Sequence, residues 1–139
     1  MKTLNSLEVM KKIEAGAESN SPKVRVIKAC AIGQGYRQGD ISVLRVDDNH
    51  PRGKKSGTRK LAIGQGEGSN HFAEGEIELY EGTTVPSFVE RGTFLGPVIV
   101  APKGFKNTHP KHAHCWMEQG GVFQVTHQMD VRTLQRVKD

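Results

Sequence analysis

The chain has 139 residues, of which 35% are apolar and 25% charged, and its formal net charge is +5. That length suits one domain with a modest core and excludes two independent ones. No run approaches the roughly 20 apolar residues of a membrane-spanning helix. Glu8, Lys11, Lys12 and Glu14 interrupt any secretory apolar stretch, so a cytoplasmic protein is expected, with no membrane partner.

The organisation expected is an N-terminal helix and linker over residues 1–22, then a single β-rich domain over 23–139. Leu4, Leu7, Met10 and Ile13 recur at helical spacing, and Asn5 with Glu8 has the spacing of a capping box, so residues 5–15 read as an amphipathic helix. From Lys23 the period changes to two. Val24, Val26 and Lys28 alternate with Arg25 and Ile27 in a strand that runs on to Ile32, and Ile41–Val46 is a second strand. Asp47–Ser56, with Pro51 and two glycines, reads as a loop. Arg59–Ile63, Glu76–Tyr80, Phe88–Val89 and Pro97–Ala101 follow as short strands. Cys115–Met117 and Val122–Thr126 flank Gln119-Gly120-Gly121 as an expected hairpin, and Val131, Leu134 and Val137 return to helical spacing. The pentapeptide at 31–35 recurs at 62–66, each time where an apolar strand meets a turn. Sixteen glycines and only 6% aromatics fit many tight turns and a core of Val, Ile and Leu. The fold class expected is mainly β: a small barrel or sandwich of roughly six to eight short strands, with the N-terminal helix on one side.

The histidines concentrate the chemistry. Of six, His109, His112 and His114 fall within six residues, and His71 stands in another polar segment. Imidazoles with an open position suit Zn²⁺ or another divalent ion, so His71, His109, His112 and His114 are the candidate metal ligands. Glu67 or Glu118 would add a carboxylate ligand or a general base. Without metal, His71 and His109, with Glu67, are the candidate acid–base pair, because imidazole titrates near neutrality. The competing reading is a polar loop whose histidines cap turns.

A second feature is the basic stretch Arg52, Lys54, Lys55, Arg59 and Lys60, which would track a polyanion such as nucleic acid or a nucleotide, or be an ordinary solvated loop. It contains no interleaved aromatic for base stacking. Gly64, Gly66 and Gly68 lack the Lys-Ser/Thr of a P-loop, and there is no Gly-x-Ser-x-Gly elbow. Cys30 and Cys115 share no metal spacing and read as free thiols.

Tyr36-Arg37-Gln38-Gly39-Asp40-Ile41, the segment Gly66–His71, Thr108-His109-Pro110-Lys111-His112 and the stretch Gly121–Gln128 occur in the order seen in a family of small bacterial and phage proteins. The chain resembles that family over roughly residues 36–139, through its RQGD, GExxxH and THxxH segments. It departs from the pattern at Ala73, where the family carries a further histidine, at Phe123 in place of tyrosine, and in having His114. The family has no established activity, so the resemblance implies a shared fold and histidine site and names no reaction. Three functional readings follow. One is a cytoplasmic bacterial or phage protein whose histidine site binds or acts on a phosphate-containing ligand. The second is a phage structural or accessory protein that assembles, as a homo-oligomer or in a virion. The third is a nucleic-acid-binding module using residues 52–60.

Overall fold

The computed structural model describes residues 24–62, 71–91, 93–127, 129–130 and 135–136. The expected helix at 5–15 and most of the C-terminal repeat of Val131, Leu134 and Val137 lie outside these residues. Eleven strands make two sheets, here numbered in chain order: β1 (Val24–Ile27), β2 (Gly35–Gln38), β3 (Ile41–Val46), β4 (Arg52–Lys55), β5 (Lys60–Ala62), β6 (His71–Glu74), β7 (Glu78–Gly82), β8 (Phe94–Ala101), β9 (Phe105–Thr108), β10 (His114–Met117) and β11 (Gly121–His127). A further short pair, β12 (Met129–Asp130) and β13 (Gln135–Arg136), is extended where a helix was expected to run through 135–136.

One sheet has five strands in the order β1-β10-β9-β6-β5, the other six in the order β2-β3-β11-β8-β7-β4. The two pack face to face and do not close into a barrel. Their shared core draws Ile27, Leu61, Phe105 and Met117 from the first sheet and Ile41, Val43, Ile99, Phe123 and Val125 from the second. Phe105 meets Phe123 edge to face across the gap, with ring centroids 5.2 Å apart. The first expected strand, which was to run on to Ile32, ends at Ile27: Val24, Arg25 and Val26 are half-buried, Ile27 is buried in the core, and Lys28 lies exposed beyond the strand end. On the far face of the six-stranded sheet, Val46, Val98 and Val122 form a second small apolar cluster with Tyr80 and Val100.

Several sequence-based expectations change. Residues 115–126 are not a hairpin, because β10 pairs with β1 and β9, whereas β11 pairs with β3 and β8. The chain crosses between sheets at 118–120, where the Gln119 side chain accepts the Cys30 amide at 2.8 Å. A Cβ at Gly120 would lie 2.0 Å from the Pro102 carbonyl oxygen, so the crossing needs glycine there. Phe88–Val89 is a turn, closed by Val89 N–H donating to the Pro86 carbonyl at 3.0 Å. Part of the expected 47–56 loop is the edge strand β4, paired with β7. The strands β2, β6 and β9 were not foreseen. Beside the core residues Tyr36, Ala73 and Phe105, their inward positions carry the buried polar residues Gln38, His71 and Asn107, which interrupt the apolar pattern that marks a strand. Among the described residues, no helix is long and apolar enough to cross a membrane.

Candidate functional site

Those same polar inward residues build a cluster at one end of the sandwich. On the six-stranded sheet, β2 and β3 are joined by the two-residue turn Gly39-Asp40, with Gly39 in the left-handed region at φ 57°. This turn leaves Gln38 at 2% exposure and Asp40 at 1%. On the opposite sheet, β6 and β9 are antiparallel, and Phe72 pairs with Thr108. One step further along that register brings His71 and His109 side by side on the inner face. Their ring centroids lie 4.4 Å apart, and both side chains are buried. His112, on the β9–β10 connection, brings a third, half-buried ring 4.5 Å from His109 and 6.3 Å from His71.

The hydrogen bonds orient the rings and narrow where their protons can sit. The Gln38 amide nitrogen donates to the carbonyls of Asn107 at 3.0 Å and Ala113 at 2.8 Å, which turns its oxygen toward His71 Nδ1 at 2.8 Å. That oxygen only accepts, so Nδ1 carries hydrogen. His71 Nε2 lies 2.9 Å from Asp40 Oδ1. A single proton is shared on that line, giving either an imidazolium–carboxylate pair or a neutral imidazole facing a carboxylic acid. His109 Nδ1 accepts the Lys111 amide at 2.9 Å, which places the proton of a neutral ring on Nε2.

The polar cluster continues inward. Asn107 donates to the Tyr36 hydroxyl at 3.0 Å, and Arg25 Nη2 donates to Cys115 Sγ at 3.0 Å. Burial pushes the Cys115 thiol above its ordinary value, and the Arg25 guanidinium only partly offsets this. Cys115 is therefore a buried neutral thiol, and Cys30 is likewise free and buried.

Three of the four candidate metal ligands, His71, His109 and His112, come together. His114 does not join them. Strand alternation with buried Cys115 turns it to the outer face, where burial and then the Lys106 cation hold its imidazole below the ordinary value. Both His71 nitrogens are engaged, and among the described residues no group of three or more His, Cys, Asp or Glu side chains is arranged to hold a metal ion. Glu67 lies outside the described residues, and Glu118 is exposed on the crossing between the sheets.

The basic stretch is largely engaged in local structure. Arg52 donates to the carbonyls of His50 and Asp48 and stacks on Tyr80, Lys55 pairs with Glu78 at 2.6 Å, and Arg59 donates to the Gly75 carbonyl. Lys54 and Lys60 make no ion pair with any described residue. Sequence reasoning missed Gln38, Asp40 and Asn107 as site residues. For Gln38 and Asp40 the available signal was the polar-x-polar pattern around the turn-forming Gly39.

Comparison of the chain with protein-family models, curated proteins and solved structures finds no match.

Proposed function

We propose that the histidine cluster binds a phosphate-containing small molecule, with the half-buried His112 as the ligand-facing donor and the buried His109 and His71–Asp40 pair behind it. The observation that carries this is the run from the buried Asp40 through His71 and His109 to the half-buried His112, with a 2.9 Å hydrogen bond and then ring-centroid separations of 4.4 and 4.5 Å. Imidazoles packed this closely share positive charge poorly, and an anion at the outer end relieves that repulsion. The chain's net charge of +5 and the exposed Lys111 beside His112 favour an anionic ligand. His71 cannot offer a lone pair to a ligand without breaking a bond to Gln38 or Asp40, so its part is positioning. If the bound molecule reacts, His112 is the group placed for proton transfer, with His109 behind it.

The test is calorimetric titration of the purified protein with inorganic phosphate and with a nucleoside monophosphate, alongside the histidine ring NMR signals. Saturable binding that moves the His109 and His112 signals and is lost in His109→Ala and His112→Ala is expected. Absence of binding by either probe overturns the reading. So does elemental analysis that finds one zinc per chain, which would restore the metal site.

A further inference from the structure

The outer face of the five-stranded sheet, on the side away from the core, carries a different set of residues. Strand register lines up Val26, Trp116, Lys106 and Glu74 in one cross-strand row. The next row holds Val24 beside His114, and Thr108, Phe72 and Lys60 in turn. The chain has one tryptophan, and it stands here 50% exposed, with Phe72 at 36%. A scattered exposed apolar residue needs no explanation, but two aromatics on one sheet face, with the half-buried Val24 and Val26 on the strand beside Trp116, do.

From the strand spacing, Trp116 and Phe72 are two strands and two residues apart, about 12 Å between their backbones. One flat ring cannot cover both, whereas two bases of one extended strand can. The cations lie between and beside them. Lys106 adjoins Trp116, Lys60 adjoins Phe72, and neither forms an ion pair with a described residue. Protein-binding surfaces are depleted in lysine at their centre. Aromatics interleaved with lysines on an open sheet are the arrangement that holds unpaired bases by stacking and their phosphates by charge.

We propose that this face binds single-stranded nucleic acid, with Trp116 and Phe72 stacking on bases and Lys106 and Lys60 meeting phosphates. The aromatics absent from the basic stretch at 52–60 are supplied by β6 and β10, so tertiary structure moves the polyanion surface from that loop onto the sheet. The proposal is independent of the histidine cluster, which faces the opposite side of the same strands.

Trp116 supplies its own readout. The full chain is titrated at low salt with oligo-dT and oligo-U of about 15 nucleotides, the upper end of single-strand site sizes, while tryptophan emission is followed. Saturable quenching is expected. Phe72→Ala should weaken binding about tenfold or more, the effect of one lost stack. Lys106→Gln and Lys60→Gln should each flatten the log–log salt slope by about 0.7. Trp116→Ala is followed by anisotropy of a labelled oligonucleotide and should weaken binding similarly. All four side chains are at least partly solvent-exposed, and circular dichroism checks that each variant is folded. His109→Ala should leave oligonucleotide binding intact, so failure here and failure of the phosphate site are separable. No quenching and no anisotropy change at low salt overturn the proposal. Equal affinity for a duplex also overturns it. So does a concentration-dependent increase in mass with a blue shift of Trp116, which would identify a second copy of the chain as the occupant.

Discussion

Replacing Asp40 by alanine is the sharpest probe of how the cluster is held. Asp40 Oδ1 is the partner of His71 Nε2 at 2.9 Å, and the side chains are 1% and 0% exposed, so water cannot take over the lost bond. Removing one member of a buried charged pair costs about 3–5 kcal/mol when the other must stay charged. His71 has an escape. It can release the shared proton and keep its Nδ1–H bond to Gln38, leaving one buried lone pair unsatisfied at about 1–3 kcal/mol. The expected loss for Asp40→Ala is therefore about 2–4 kcal/mol, a large part of the 5–15 kcal/mol of a typical domain. Asp40→Asn behaves differently, because its amide N–H can donate to the lone pair of a neutral His71. That variant should lose about 1 kcal/mol or less. Urea unfolding at neutral pH, with m-values checked for two-state behaviour, measures both. An alanine variant within about 0.5 kcal/mol of the parent refutes the reasoning, since surface substitutions fall in that range. Equal losses for Asn and Ala also refute it.

Two further outcomes follow from the buried titratable groups. Burial raises the Cys115 and Cys30 thiols above 9.0 and holds the Tyr36 hydroxyl well above 10.0, so the unfolded chain ionises first. Stability is then complete below about pH 9 and falls as pH rises beyond it, and Cys115→Ser should make that fall shallower in urea midpoints. His114 is held below 6.5 first by burial and then by Lys106, so Lys106→Gln should move its NMR titration to higher pH; an unmoved midpoint would separate the two residues.

How much of this was legible beforehand differs from element to element. Short apolar runs were enough to place β3, β8 and β11 and to assign a mainly β class, because these strands are rich in valine and isoleucine that they bury. It failed for β2, β6 and β9, whose inward side chains include Gln38, His71 and Asn107. A strand can bury such groups only where another strand supplies their hydrogen-bond partners, and a linear pattern cannot show that.

The histidines themselves stood out from composition and spacing, and His71, His109 and His112 were expected to meet. Register explains why they do: pairing of β6 with β9 sets residues 38 apart in sequence side by side. The sequence alone determined the β class, the candidate histidines and the basic balance of the chain. Tertiary structure decided the rest. It turned His114 to the outer face and gave His71 its partners in Asp40 and Gln38. It also occupied Arg52, Lys55 and Arg59 and set Trp116 beside Lys106. Each of these depends on which strands are neighbours and which face a residue takes. Those are long-range properties, fixed by the joint burial of two sheets and not by any local run of residues.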